Sequence, residues 1–166
     1  MMNNPVTTND KSEINQKTIS TLNDLIETCR DGQKGFEEAA TGLQDPAVKT
    51  LFQSFSHQRQ LQCTELQSLV RRQGGDPEQT GSVSGALHRG WMNLKTALTG
   101  KNDKALIDEA ERGEDVAMAS YQSALKQDLP LEVRTVIEQQ FTAVKAAHDR
   151  VRALKHAGDQ KQNLRS

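Results

Sequence analysis

Four stretches of this 166-residue chain place apolar residues at intervals of three and four, and each stripe turns polar or small near its middle. Such spacing gathers the apolar side chains on one face of a helix, so each stretch has to bury that face against another. The clearest case surrounds FQSFSHQRQLQCTELQSL, where Val48, Leu51/Phe52, Phe55, Arg59, Gln62, Leu66 and Leu69/Val70 share a face. Arg59 and Gln62 stand where leucine would be expected. The pattern predicts an all-α bundle whose helices bring polar groups together halfway along a shared core.

Composition points the same way. Hydrophobic residues make up 34%, aromatics 4% and charged residues 26%, which suits amphipathic helices with broad solvated faces better than a β-sandwich. A chain of this length buries about two-thirds of the surface its unfolded form exposes, enough for one core. With 21 basic and 22 acidic residues the formal net charge is −1, so no global field is available to hold nucleic acid or an anionic membrane. No apolar run approaches the ~20 residues needed to cross a bilayer. The start MMNNPVTTNDKSEINQ has neither a basic leader nor an apolar segment, and the expectation is a soluble cytoplasmic protein. Cys29 and Cys63 belong to no CxxC or Cys/His cluster of the zinc type, and read as small buried hydrophobes rather than a disulfide.

In chain order, residues 1–15 are polar and aperiodic and are expected to form a flexible tail. A first helix is predicted over about 16–43 through Leu22, Leu25/Ile26, Cys29, Gly32, Phe36, Ala39/Ala40 and Leu43. Gly32 and Gly35 inside it imply either a close helix approach or a local kink. Asp45-Pro46 opens the second helix as N-cap and first helical residue, and Gly74-Gly75-Asp76-Pro77 stops it. Ser82 or Ser84 then leads into GALHRGWMNLKTAL, read as a connector helix about four turns long with Val83, Ala86/Leu87, Trp91, Leu94 and Ala97/Leu98 on one face. Asn102 or Asp103 caps a third helix to about 127, and Asp128-Leu129-Pro130 precedes a fourth to about 155. The bundle is assigned to 16–156, and 157–166 to a second flexible tail.

Val48-Lys49-Thr50-Leu51 answers Val133-Arg134-Thr135-Val136, and Phe36-x-x-Ala39 answers Tyr121-x-x-Ala124, so the chain reads as two helical hairpins joined by a long crossover. That is the connectivity of ferritin-like bundles. The segments CRDGQKGFEEAA, GGDPEQTGSVSGALHRGWMNLKTALTG, EAERGEDVAMASYQSAL and AAHDRVRAL resemble a bacterial ferritin-like family of four-helix proteins known as a domain of unknown function (2383). The resemblance implies a ferritin-like bundle, with association in pairs as an expectation. It implies no activity and no cofactor.

Ferritin-like di-iron proteins take a Glu from each of two helices and a Glu-x-x-His pair from each of the other two, so that carboxylates bridge two hard ions and each His completes a terminal site. No His here has an acidic residue three or four positions before it. Counting two turns back from the aromatic landmarks points to Cys29 before Phe36 and to Glu114 before Tyr121. The matching level of the second helix holds Arg59 and Gln62, and that of the fourth holds His148. Arginine stays protonated and cannot ligate a metal, so only Glu114 and His148 remain as ligand candidates. Asp31, Glu37, Glu38, Glu111 and Asp115 would add oxygens only if the helices were rotated differently, and read as solvated faces. His57 and His88 read as surface residues.

Arg59 and Glu114 facing inward at one level should pair, since either charge alone would be costly to bury. Gln62, Gln33 and His148 are the expected further members of this polar cluster, with reception of a small anion by Arg59 and His148 as a second possibility. Trp91 and Met92 on the connector read as a lid on the core or as a contact for a second chain. The functional expectation is a non-catalytic structural, binding or stress-associated bundle that has lost its di-iron ligand set. The alternative is an oxidase-type or metal-handling protein built on Glu114, His148 and acidic neighbours.

Overall fold

The computed structural model describes residues 7–77 and 88–166. Four long helices, α1 (Thr8–Gly42), α2 (Pro46–Arg72), α4 (Asp103–Leu125) and α5 (Leu131–Asn163), form two antiparallel hairpins, and the short helix α3 (Leu94–Thr99) lies on the crossover between them. The architecture is that of an all-α, ferritin-like bundle. Among the described residues no helix is long and apolar enough to cross a membrane.

Local chemistry sets the helix ends. Asp45 Oδ1 accepts from the Ala47 and Val48 amides ahead of Pro46, and Asn102 accepts from Lys104, so free amides in both first turns are satisfied. The Asp103 carboxylate also accepts from the Gln44 and Asp45 amides at 2.8 and 2.9 Å, which fastens the α1–α2 turn to the start of α4. At the opposite end Gly74 takes φ +82°, the left-handed geometry that ends α2. Arg134 then closes the α4–α5 turn by donating to the Leu125 and Gln127 carbonyls.

Three boundaries differ from those expected. Residues 8–15, assigned to a tail, continue α1, because Thr7 and Asp10 form a reciprocal capping box that starts the helix early. Residues 157–163 likewise continue α5. Both extensions are largely exposed and carry no apolar period, although Asn15 donates to the Gln73 carbonyl and Asp159 lies near Lys104. The connector is not one four-turn helix: a 3-10 turn over His88–Trp91 precedes α3. The break has a local cause, since the Asn93 amide donates to the Glu109 side chain at 2.9 Å instead of extending a helical ladder. Its expected first part, Ser82 to Leu87, and the side chain of His88 lie outside the described residues.

The core has two apolar regions. Leu22, Leu25, Ile26, Leu66, Leu69, Val133 and Ile137 fill one, while Phe36, Phe52, Phe55, Leu106, Ala110 and Val151 fill the other. Buried Arg59, Gln62, Glu114 and His148 lie on the same helices near the junction of the two, and buried Gln140 lies within the first, between Ile137 and Val144.

Candidate functional site

The mid-bundle site is built from inward positions on α1, α2 and α4. Arg59 on α2 and Glu114 on α4 are each only 1% exposed. Arg59 Nη2 donates to both Glu114 oxygens at 2.7 and 2.6 Å, and Nη1 donates to Gln62 Oε1 at 3.2 Å and Gln58 Oε1 at 3.3 Å. The guanidinium lies 5.9 Å from the centre of the Phe36 ring on α1. Room for the arginine stem comes from Gly32, where an added Cβ would lie 3.3 Å from Arg59 side-chain atoms. Burial pushes the Glu114 carboxyl above its usual range, and the Arg59 charge and hydrogen bonds oppose that push.

A second polar chain adjoins the first. Tyr121 on α4 donates to Gln140 Oε1 on α5 at 2.7 Å, so the Cys29 thiol on α1 is the donor in its 3.2 Å contact with the tyrosine oxygen. The Gln140 amide nitrogen goes on to the Gln62 carbonyl at 3.2 Å and to Glu65 at 2.8 Å. Burial pushes the Cys29 pKa up to about 12 and that of Tyr121 well above its usual value. Both stay protonated at neutral pH, and a buried thiol of this kind is a poor nucleophile and a poor metal ligand.

His148 stands at the edge of the cluster. Its Nε2 lies 2.7 Å from Asp115 on α4 and its Nδ1 lies 3.3 Å from Asp149. Burial disfavours the imidazolium, but hydrogen bonds to Asp115 and Asp149 and the Asp115 and Glu114 charges outweigh it, so the pKa is raised above 6.5. The sign follows directly. The folded state holds the proton more tightly than the unfolded chain, so this stabilisation is complete below about pH 6.5 and is lost as pH rises through the folded pKa. Thermal melts across this range should show Tm falling as pH rises above about 6.5, with the fall reduced in His148→Gln. Equal pH slopes in the two proteins would remove His148 from the account.

Gln33 is not where it was expected. It is half-buried on the open groove between α1 and α2, a space of about 630 Å³ that it lines with Glu37, Gln53 and His57. The other acidic candidates sit on the rim: Glu38 is near Lys34, Glu111 pairs with Lys155, and Asp31 borders the crossover. Glu109, which was not singled out, is 1% exposed, accepts from the Asn93 amide and pairs with Arg112. Its spacing between Leu106 and Gly113 is a stripe position and could have disclosed it.

The candidate metal donors are already engaged with other side chains. Both Glu114 oxygens are engaged by Arg59, the Cys29 thiol by Tyr121, and both His148 nitrogens face other carboxylates. Among the described residues no group of three or more His, Cys, Asp or Glu side chains converges to hold a metal ion.

Comparison with known proteins bears on the fold and the family. A solved two-domain protein from Anabaena variabilis containing DJ-1/ThiJ/PfpI-like and ferritin-like domains superposes with a TM-score of 0.70 at 19% identity, over 86% of this chain and 40% of that one. At that identity the likeness speaks to fold alone. No curated protein matches the sequence. The family model described as "Domain of unknown function (DUF2383)" covers residues 17–127, from α1 through the crossover to the end of α4. Since that match takes in most of the bundle, the chain belongs to the DUF2383 family.

Proposed function

We propose that this protein is a non-catalytic ferritin-like bundle in which a charge pair stands at the level where ferritin-like di-iron bundles hold metal, and that it serves a structural or binding role. The observation that carries the proposal is the double contact from Arg59 to Glu114, each 1% exposed. A guanidinium brings a permanent charge and no lone pair to a place where a metal centre needs donors. The pairing serves register instead: it joins α2 to α4, and so one hairpin to the other.

Metal analysis tests this. Protein purified without chelator, then incubated with excess Fe(II) or Mn(II) and desalted, should retain far less than one ion per chain by inductively coupled plasma mass spectrometry. Retention of about two ions per chain, the complement of a di-metal bundle, would overturn the proposal in favour of a metalloprotein using Glu114 and His148.

A further inference from the structure

The crossover is fastened to the bundle by an arrangement that the charge pair does not require. Trp91 lies in a slot between α1 and α4 walled by two glycines. A Cβ built on Gly35 would fall 2.3 Å from the indole, and one on Gly113 would fall equally close. The ring meets Phe36 edge-on at 5.2 Å, and Phe36 in turn lies against the Arg59 guanidinium. The backbone follows the ring inward: a Cβ on Gly90 would lie 2.7 Å from the Gly113 Cα. Beyond the ring, Leu94 and Ala97 are buried, and Glu109 holds the Asn93 amide.

The two sides of this strap differ. Against α4 it packs backbone to backbone, whereas towards α1 it leaves a cleft of about 320 Å³ lined by Asp31, Lys34, Glu38, Trp91, Met92 and Lys95. Trp91 is only half-buried, and Met92 beside it is exposed. The ring therefore has space to move into. The segment carrying it is one 3-10 turn, a short element with poorer hydrogen-bond geometry than an α-helix. The anchors at Asn93, Leu94 and Ala97 lie on the far side of that turn and need not break when the ring leaves.

We propose that the turn His88–Trp91 is a latch that lifts Trp91 out of the Gly35–Gly113 slot while the four long helices stay folded, opening a path to the Phe36 edge and the polar core. Such an opening breaks the Phe36 edge contact and the packing on Gly35, Gly90 and Gly113 but leaves the Asn93, Leu94 and Ala97 anchors in place, so it costs less than unfolding the bundle. The proposal goes beyond the metal-free reading of the core and is independent of it.

Trp91 is the sole tryptophan of the chain, so its fluorescence reports the latch alone. Gly113→Ala places a methyl group where the ring lies. In that variant the emission maximum should shift to the red and acrylamide quenching should rise several-fold, with the far-UV circular dichroism of the folded bundle retained. Unchanged emission, or loss of helix signal together with the red shift, would count against a latch. The unaltered protein gives a second decision by NMR. Exchange of the Trp91 indole N–H should be independent of low urea concentrations, the mark of local opening, while slow core amides accelerate. Indole exchange that rises with urea in step with those amides would show that the ring leaves only on global unfolding, and would overturn the proposal.

Discussion

Replacing Arg59 by alanine is expected to lower the unfolding free energy by about 3–5 kcal/mol, the range for stranding one partner of a buried ion pair. Glu114 would keep its place on α4 with both oxygens facing a space that the guanidinium had filled. It would respond by taking up a proton, since burial already pushes its pKa upward and only Arg59 opposes this strongly. The variant should therefore be more severely destabilised at pH 8 than at pH 5. Arg59 is also among the largest fully buried side chains, so its removal leaves a cavity beside Gly32 and Phe36. Urea denaturation followed by far-UV circular dichroism measures the cost. A loss below about 1 kcal/mol, the scale of exposed ion pairs, would mean that water reaches the pair.

Phe36→Ala should cost a similar amount, about 3–5 kcal/mol, because a fully buried ring leaves both its transfer free energy and a cavity behind. Phe36 is 0% exposed. It packs edge-on to Phe52 at 5.2 Å, tilted to Phe55 at 5.3 Å and edge-on to Trp91 at 5.2 Å, so α1, α2 and the crossover share this one ring. Phe36→Leu keeps much of the volume and should cost less. Chemical denaturation of both variants gives the comparison, and equal costs would show that ring geometry contributes nothing beyond bulk. Native-state Trp91 emission should also shift in Phe36→Ala, since one face of its environment is removed.

Periodicity made the bundle legible, because each helix has one continuous partner surface and its inward residues recur at that spacing. It also made Arg59 visible, as a charge within an apolar stripe, and the aromatic landmarks Phe36 and Tyr121 set the level at which Arg59 and Glu114 meet. What it could not resolve was rotation by one residue. Gly32 is the residue facing Arg59, and its neighbour Gln33, about 100° further round the helix, faces the outer groove instead. Nor could a stripe say which polar groups pair across hairpins. Tyr121 was legible as an aromatic marker, but its partners Cys29 and Gln140 lie on other helices, and only folding brings them within hydrogen-bond reach. Gly35 was ambiguous between kink and close approach, and Gly113 carried no reading of its own; Trp91 lies between the two. Residues 8–15 and 157–163 were missed because an exposed helical extension has no core to impose a period.

The central claim is that Arg59 and Glu114 form one unit whose halves are costly apart and dispensable together. A double-mutant cycle with Arg59→Met and Glu114→Met, read by urea denaturation, tests it most directly. Each single variant should lose about 3–5 kcal/mol, while the double variant should lie close to the starting protein or above it, as when a buried ion pair is replaced by apolar residues of similar volume. Losses that simply add in the double variant, or single losses within about 0.5 kcal/mol of zero, would contradict the account.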